Sequence, residues 1–398
     1  MASPRPVIRL RPKVPLKRIE RGSPWIYSDW LVRDRRMRAL SPGTLAVLET
    51  ADRRQLGLYA VTPEARLAAR RLDADPAARI DAGWFARRVE AALAWRQRAI
   101  GAPYYRLIHG EADALSGVIV DRFGPALALQ PNAAWAEAHQ DALTEALVRV
   151  TGAETVVKNA AGRGRALEGL DDQTRVIHGA LDGPVEVRMN AATYLADLTG
   201  GQKTGVYYDQ RPNHAFVSGL ARGASVLDLF THTGGFALAA LAGGAARALA
   251  VDSSAPALEL ALQGAMRTGA SDRLETRRGE VTAVLRDLEA GKDRFDVVVS
   301  DPPAYAPNRA ARDKGLAAYR RLARDAARRV APGGVLVVCS CSHAADLAAF
   351  REASAAGITA ARREAQLVHT GFAGPDHPVL PELPEQGYLK VLVFRVTR

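Results

Sequence analysis

From about residue 190 onward the chain alternates short apolar strands with helices, and this alternation limits the fold more than any other feature. Apolar strands are predicted at residues 225–230, 247–251, 274–277, 295–300 and 335–339. Strands separated by helices pair in parallel, so the pattern predicts an α/β fold with a doubly wound sheet. Ligands of such sheets bind at the carboxyl ends of the strands, where the polar residues of this region are concentrated.

The first of these strands runs into a glycine-rich turn, Asp-Leu-Phe-Thr-His-Thr-Gly-Gly, at residues 228–235. Paired glycines let the backbone approach a ligand closely, and the N-terminus of the following helix supplies free N–H donors. A turn with a purely structural role is the alternative. If the turn binds a ligand, the expected contacts are Asp228, Phe230, Thr231, Thr233 and Gly234.

Acidic residues follow the next two strands. Asp252 and Ser253 come after the second strand, where a carboxylate can accept hydrogen bonds from a ribose diol. Glu280 follows the third strand and could receive the exocyclic amine of adenine. These acids fit S-adenosylmethionine better than NAD, because the turn lacks the Gly-x-Gly-x-x-Gly pattern. Helix capping is the alternative role for both acids.

The fourth strand ends in Asp301-Pro302-Pro303-Ala304-Tyr305. Consecutive prolines stiffen a loop, so that its side chains and carbonyls can be held against a flat base. The loop resembles the catalytic loop of methyltransferases that act on nucleobases, and a proline-rich turn is the alternative. Asp301 and Pro302 are predicted to lie beside the donor, and Asp301 also beside the base.

The chain contains two cysteines, which argues against a disulfide framework and fits a reducing cytoplasm. Cys339 continues an apolar run and is predicted to be a core residue. Cys341 comes after the strand, between Ser340 and Ser342, and is the candidate nucleophile. No cysteine–histidine cluster has zinc spacing, so no metal is expected.

The first hundred residues carry 21 Lys and Arg against 10 Asp and Glu, whereas the rest of the chain has 33 of each. A local positive excess predicts contact with a polyanion, although an arginine-rich surface from a GC-rich genome is the alternative. Short strands within residues 7–72 predict a small β-barrel. The candidate RNA contacts on it are Lys13, Lys17, Arg18, Arg21 and Trp25. Core packing is the alternative for the tryptophan.

Several motifs together resemble those of the bacterial 23S ribosomal RNA 5-methylcytosine methyltransferases. They are Tyr-Arg-Leu-Ile-His-Gly-Glu at 105–111, Gly-Gln-Lys-Thr-Gly-Val-Tyr-Tyr-Asp-Gln-Arg at 201–211, the glycine turn, Asp-Pro-Pro at 301–303, Ser-Cys-Ser at 340–342, Pro-Asp-His-Pro at 375–378 and Tyr-Leu-Lys at 388–390. The resemblance implies a PUA domain over residues 1–74, an α+β linking domain over 75–190 and a Rossmann-like methyltransferase domain over 191–398. It also implies that Gln202, Lys203 and Thr204 lie against the methyl donor, S-adenosylmethionine.

The resemblance further implies a mechanism. Carbon 5 of cytosine is too weak a nucleophile to attack the donor directly, so a cysteine thiolate first adds to carbon 6. Cys341 would be this nucleophile and Asp301 would bind or protonate the base edge, whereas the base that removes the carbon 5 proton is unassigned. The implied partner is 23S rRNA or a large-subunit particle, with a homodimer left open. A guanine N-methyltransferase and a non-catalytic RNA-binding protein are the alternative functions.

Overall fold

The computed structural model describes residues 4–161, 165, 166, 168–200 and 205–397. The chain divides into two compact units, of which the first contains residues up to 183 together with 198–204 and 375–386. The second unit contains residues 184–197, 205–374 and 387–398. In the described ranges, no helix combines the length and the apolar character that a membrane crossing requires.

The first unit begins with a five-stranded sheet in the order β1-β3-β4-β5-β2. Its elements are β1 (Val7–Arg9), α1 (Leu16–Glu20), β2 (Trp25–Tyr27), α2 (Arg35–Arg38), β3 (Thr44–Glu49), β4 (Gln55–Val61) and β5 (Leu67–Asp73). The apolar side chains predicted to form strands meet in one core that includes Ile8, Ile26, Leu48 and Val61. Burial of this core holds the short strands together.

The same unit continues with a second five-stranded sheet in the order β10-β9-β8-β7-β6, packed against helices. Its elements are α3 (Ala82–Ala99), β6 (Tyr104–His109), β7 (Val118–Phe123), β8 (Ala126–Pro131), α4 (Ala134–Ala138), α5 (Gln140–Thr151), β9 (Thr155–Lys158) and β10 (Arg175–His178). The Asp81 side chain caps α3 by accepting a hydrogen bond from the Trp84 N–H at 2.9 Å. Trp84, Phe85 and Val89 form the buried face of that helix.

The second unit is built on a seven-stranded sheet in the order β15-β14-β13-β16-β17-β19-β18, with a separate β11–β12 hairpin. Its elements are β11 (Val185–Met189), β12 (Ala192–Ala196), α6 (Arg211–Leu220), β13 (Ser225–Leu229), α7 (Gly235–Ala242), β14 (Arg247–Asp252), α8 (Ala255–Thr268), β15 (Leu274–Arg278), α9 (Val281–Ala290), β16 (Phe295–Ser300), α10 (Arg312–Ala327), β17 (Val330–Ser340), α11 (Leu347–Ala360), β18 (Ala365–Gly371) and β19 (Lys390–Val396).

Strands β13 to β17 of this sheet run in parallel, and their register aligns the carboxyl ends. Leu229 of β13 pairs with Val251 on one side and with Ser300 on the other, and Ser300 in turn pairs with Val338. The residues after β13, β14, β16 and β17 therefore share one edge of the sheet. The doubly wound parallel sheet predicted from the alternation of strands and helices is confirmed.

Two strands at one side of the sheet, β18 and β19, are antiparallel to their neighbours. They were not predicted. The central strands are buried on both faces, as Leu227, Val298 and Leu336 show, because helices cover the sheet on each side. The division into three domains at residues 74 and 190 stays a prediction.

Candidate active site

The turn after β13 is held in place by the Asp228 carboxylate. Its Oδ2 accepts hydrogen bonds from the Thr231 hydroxyl at 2.6 Å and from the Ala237 N–H at 2.9 Å. The other oxygen, Oδ1, is buried and accepts no bond within the described residues. Burial raises the pKa of the Asp228 carboxyl to about 6, although the two bonds act in the opposite direction. An unsatisfied buried carboxylate oxygen calls for a donor, which a ligand could bring.

The backbone of the turn takes a tight path in which Phe230, His232 and Gly234 all have positive φ. Gly234 has φ +87°, and a Cβ at this position would lie 2.9 Å from Cγ of Leu238. The turn ends at Gly235, where α7 begins without a side-chain cap. Thr233 is also fixed, because its hydroxyl donates to the Gly205 carbonyl at 3.1 Å. The first-turn N–H groups of α7 are held within the turn, because Gly235 donates to the Thr231 carbonyl at 3.1 Å and Ala237 donates to Asp228.

Asp252 links the glycine turn after β13 to the loop after β14. Its Oδ2 accepts from the His232 N–H and its Oδ1 from the Ser254 N–H, both at 2.9 Å. A carboxylate has about four lone-pair positions, so these two bonds leave room for a ribose diol. Ser253, which follows it, is exposed.

Two further donor-site predictions, Glu280 and Pro302, lie after strands of the same sheet. Glu280 is exposed at the N-terminus of α9 and makes no capping bond. Its charge helps to raise the pKa of Tyr305, a shift caused mainly by burial, which places the acid near the Asp-Pro-Pro loop. Pro302 in that loop is buried. The predicted contacts Gln202, Lys203 and Thr204 lie outside the described residues.

Asp301 follows β16 and is oriented by an amide. The Gln210 side chain donates from Nε2 to Oδ2 of Asp301 at 2.8 Å. Asn213 donates in turn to Oε1 of Gln210 at 2.7 Å, and also to the Phe372 carbonyl at 3.2 Å. This relay of two amides fixes the plane of the carboxylate. Gln210 belongs to the motif at 201–211, and the sequence alone indicates no role for it.

The two cysteines differ in their surroundings. Cys339 lies inside β17 with no exposed surface, and burial raises the pKa of its thiol well above the ordinary value. Cys341 lies immediately after β17 and is half-buried. A reactive cysteine must be accessible, and Cys341 has exposed surface whereas Cys339 has none, so Cys341 is the suitable nucleophile of the two.

Three hydroxyl groups hold the loop that carries Cys341 against the Asp-Pro-Pro loop. The Tyr319 hydroxyl accepts from the Ser340 hydroxyl at 3.0 Å and lies 2.8 Å from the Ser342 hydroxyl. Ser342 Oγ also accepts from the Ala306 N–H at 2.9 Å. The two serines that flank the candidate nucleophile therefore position both loops through Tyr319.

Tyr207 lies among the charged groups of the site and was missed as a site residue. Burial raises the pKa of its phenol, and the charges of Asp301, Asp209, Cys341 and Asp252 raise it further. These four groups therefore lie close enough to the phenol to interact with it. The strand register and this shared neighbour bring the candidate nucleophile, the base-edge acid and the ribose acid into one site.

The predicted RNA contacts lie in the first unit. Lys13 and Lys17 are exposed. Arg18 and Arg21 donate to Glu382, to its carbonyl at 3.0 Å and to its carboxylate at 2.8 Å respectively. Trp25 is half-buried and its indole N–H donates to Glu111 at 2.8 Å. Three of the five therefore also have structural partners within the unit.

Several features of the site fit an S-adenosylmethionine ligand. The buried Asp228 Oδ1 would match a cationic amino group. The spare lone pairs of Asp252 match a diol. Among the described residues, no group of three or more His, Cys, Asp or Glu side chains could hold a metal ion.

Comparison with known families gives two matches. Residues 137–395 match the family described as S-adenosylmethionine-dependent methyltransferase, and residues 8–74 match a PUA-like domain. The first match covers more than half of the chain and includes every residue of the candidate donor site.

Curated proteins include relatives that match this chain over nearly its whole length. The chain is 33% identical to ribosomal RNA large subunit methyltransferase I of Shewanella denitrificans over 95% of this chain and 96% of the relative. It is 32% identical to the protein of the same name from Cronobacter sakazakii, over 94% of this chain and 95% of the relative.

Solved structures share the fold. A methyltransferase solved in complex with SAH superposes with a TM-score of 0.81 at 18% identity, covering 98% of this chain and 99% of the other. A protein from Streptococcus mutans described as SAM-dependent methyltransferase gives the same TM-score at 17% identity, with 98% and 100% covered. At this identity the likeness concerns the fold alone.

Proposed function

The chain belongs to the S-adenosylmethionine-dependent methyltransferase family that contains ribosomal RNA large subunit methyltransferase I, and we propose that it methylates carbon 5 of a cytosine in 23S ribosomal RNA. The predicted fold class, enzyme class and methyl donor are confirmed by this membership. The target base, the covalent step and the residue roles are the proposal.

One observation carries the proposal: a half-buried cysteine follows β17 at the strand edge that also presents Asp301 and the glycine turn. Methylation of a ring or exocyclic nitrogen needs no thiol, because the nitrogen lone pair attacks the donor directly. Methylation of carbon 5 does need one. The placement of Cys341 therefore favours cytosine C5 over the guanine alternative.

The chain's residues would act in the following order. Bound S-adenosylmethionine supplies an electrophilic methyl group on sulfonium. The Cys341 thiolate adds to carbon 6 of the cytosine, and the electron pair of the 5,6 double bond becomes available at carbon 5. Carbon 5 then bonds to the methyl carbon as its bond to sulfur breaks. A base removes the carbon 5 proton, the double bond returns and the thiolate leaves.

Asp301 would bind the N3 and N4 edge of the cytosine in this scheme. Addition of the thiolate places negative charge on the ring, which a proton held by Asp301 at N3 would neutralise. Gln210 fixes the orientation of the carboxylate, so the acid would be placed before the base arrives.

The proposed RNA substrate rests on the relatives and on the positive charge of residues 1–100. Lys13, Lys17, Arg18, Arg21 and Trp25 would contact RNA on the PUA-like domain. Gln202, Lys203 and Thr204 would contact the donor. We propose naked 23S rRNA or a large-subunit particle as the partner, and the bacterial cytoplasm as the location. A homodimer remains a second form to test.

The covalent step can be tested with RNA that contains 5-azacytidine, which traps a thiolate adduct because the ring cannot release it by losing a carbon 5 proton. The wild-type protein should form a complex that survives denaturing electrophoresis. Cys341→Ala should abolish both this complex and 5-methylcytosine, whereas the matched variant Cys339→Ala should retain them. Bisulfite sequencing of the treated 23S rRNA then locates the base.

Two outcomes would overturn the proposal. Methylation of guanine that persists in Cys341→Ala would establish the nitrogen-methylating alternative. Binding of RNA without any transfer of a methyl group, in protein that binds the donor by calorimetry, would indicate a non-catalytic RNA-binding protein.

A further inference from the structure

The end of β17 is covered by a lysine from β19, a strand that the sequence did not predict. Lys390 pairs directly with Ser340 across the antiparallel ladder. Opposed residues of an antiparallel pair project on the same face of the sheet, so Lys390 reaches the loop that follows β17. Its side chain is nearly fully buried, with 5% exposure.

The ammonium group of Lys390 binds the backbone on either side of a short loop. Nζ donates to the Ser342 carbonyl at 2.7 Å and to the Ala345 carbonyl at 2.8 Å. Cys341 precedes the first of these acceptors in the chain. The lysine thus fixes the backbone next to the thiol and holds a charge inside the protein. A buried ammonium is costly unless it is bonded and has a counter-charge.

We propose that Lys390 is the residue that activates Cys341, by holding a buried positive charge beside its thiolate and by fixing the loop that presents it. The inference rests on the proposed role of Cys341 as nucleophile. Lys390 is a positioning and electrostatic residue in this scheme, since its ammonium binds the backbone carbonyls of the loop.

The electrostatic interaction between Lys390 and Cys341 supports this proposal. Burial lowers the pKa of the Lys390 ammonium, and the negative charges of Cys341 and Asp346 oppose that shift. Because such coupling is reciprocal, an ammonium that is favoured by the thiolate must favour the thiolate equally. A nearby lysine is one of the established ways to lower the pKa of a cysteine.

Other titratable groups around the thiol act in the opposite sense or are neutral. Tyr207, Tyr319 of α10 and Cys339 of β17 are coupled to Cys341, and burial raises the pKa of each. They are therefore uncharged near neutral pH. The carboxylates in this region include Asp301, Asp209 and Asp252, which act on Tyr207 together with Cys341, and Asp346, which is paired with Arg312. His343, two residues from the thiol, packs its ring 5.7 Å from that of Tyr388. Carboxylates disfavour a thiolate, so the charge of Lys390 is needed to offset them.

The test measures the thiol itself and needs no RNA. In a Cys339→Ala background, Cys341 is the one thiol in the chain. The rate of its alkylation by iodoacetamide, followed by mass spectrometry from pH 5.5 to 10, gives its titration midpoint. Lys390→Gln in this background removes the charge but keeps a hydrogen-bond donor, and Lys390→Arg keeps the charge. Donor binding by calorimetry shows which variants are folded.

We expect Lys390→Gln to raise the midpoint by one pH unit or more, which makes alkylation at pH 7 about tenfold slower while the rate at high pH is unchanged. Lys390→Arg should keep the parent midpoint. Equal midpoints in the parent and Lys390→Gln would overturn the proposal, as would a Lys390→Arg profile that matches Lys390→Gln. A purely structural lysine would change the rate at every pH without moving the midpoint.

The interaction between Lys390 and Cys341 can also be measured from the pKa of the lysine, in protein that keeps Lys390. In protein with ¹³C-labelled lysine side chains, Lys390 is assigned by comparison with the arginine variant and titrated by NMR. Cys341→Ser should lower the pKa of Lys390, and an unchanged pKa would contradict the inference even if Lys390→Gln does not fold. A shifted thiol midpoint in a protein that makes no 5-methylcytosine would retain the coupling and reject the proposed function.

Discussion

At the scale of single residues, His214 shows how the site region depends on groups that stay uncharged. Its ring is buried on α6, with the Phe236 ring at 4.4 Å and the Tyr194 ring at 6.4 Å. Burial lowers the pKa of this imidazole to about 3, and the charge of Asp209 only partly offsets the effect. The folded protein therefore holds His214 neutral at a pH where the unfolded chain protonates it.

This difference predicts a loss of stability in acid. Between pH 6.5 and about 3 the unfolded state binds a proton that the native state does not, so the free energy of unfolding falls as pH falls. The slope from this one group is at most about 1.4 kcal/mol per pH unit. His214→Phe should reduce the slope between pH 4 and 6.5 by that order, measured by urea unfolding at several pH values.

The exposed His178 provides the control for this experiment. His178→Asn also removes one imidazole but should leave the slope as it is in the parent. A His214→Phe slope equal to that of the parent would mean that His214 is already protonated in the folded protein.

At the scale of elements, two glycines allow the cost of a positive φ to be measured separately from the cost of a steric clash. One of them lies in the glycine turn. Gly234 has φ +87°, and its missing Cβ would lie 2.9 Å from Leu238 and 3.2 Å from Ala261. Gly223 also has positive φ, at +71°, but no atom lies within 4 Å of the corresponding position. An alanine at either position would have an unfavourable positive φ, but only at Gly234 would its Cβ also clash with neighbouring side chains.

Gly234→Ala should therefore destabilise the protein by more than Gly223→Ala. The backbone cost of a positive φ is about 1–2 kcal/mol for each, and overpacking adds about 1–3 kcal/mol at Gly234. Chemical unfolding measures both, and calorimetry should show weaker donor binding for Gly234→Ala alone. Equal losses of stability, with unchanged donor binding in both, would show that the turn adapts to a side chain.

The parallel part of the sheet was predictable because each strand is buried on both faces and reads as an apolar run between helices. The edge strands β18 and β19 were missed. β18 includes exposed apolar residues such as Val368, and β19 begins at a buried lysine, so neither reads as an ordinary strand. The role proposed for Lys390 depends on pairing between Ser340 and a residue fifty positions later, which no local pattern contains.

The same limit applies to the site. Glycines, prolines and strand-end acids have local signals, so the turn, Asp252, Asp301 and Cys341 could be selected from sequence alone. The Tyr319 hydroxyl network and the Gln210 amide have no such signal, because each residue acts through a partner about twenty or more positions away. Tertiary packing determines which uncharged side chains orient the charged ones.

At the scale of the whole molecule, the positive charge of residues 1–100 leads to a prediction about salt. Affinity for RNA falls with salt in proportion to the number of phosphates that the protein neutralises, with a logarithmic slope of about 0.7 per contact for single strands. Lys13 and Lys17 are exposed. Lys13→Glu/Lys17→Glu should weaken RNA binding and reduce the slope by about 1.4, measured by fluorescence anisotropy between 50 and 300 mM KCl.

A matched charge reversal tests whether position matters. Lys292 and Arg294 are exposed just before β16, at the sheet edge opposite the candidate site. Lys292→Glu/Arg294→Glu changes the net charge by the same amount and should leave the slope close to that of the parent. Equal slopes in all three proteins would attribute the positive excess of residues 1–100 to composition.

The path of the chain between β18 and β19 has a practical consequence for dissecting this protein. Residues 375–386 leave the second unit and belong to the first, where Asp376 accepts from the Arg106 N–H at 3.1 Å and its carbonyl accepts from Arg96 at 3.0 Å. A fragment that begins at residue 184 would keep Asp376 but lose Arg96 and Arg106. The carboxylate and the carbonyl of Asp376 would then have lost these two hydrogen-bond donors. Because each unit consists of three separate segments, no single continuous fragment contains all of either unit without part of the other. The enzyme is therefore best engineered as the full-length protein.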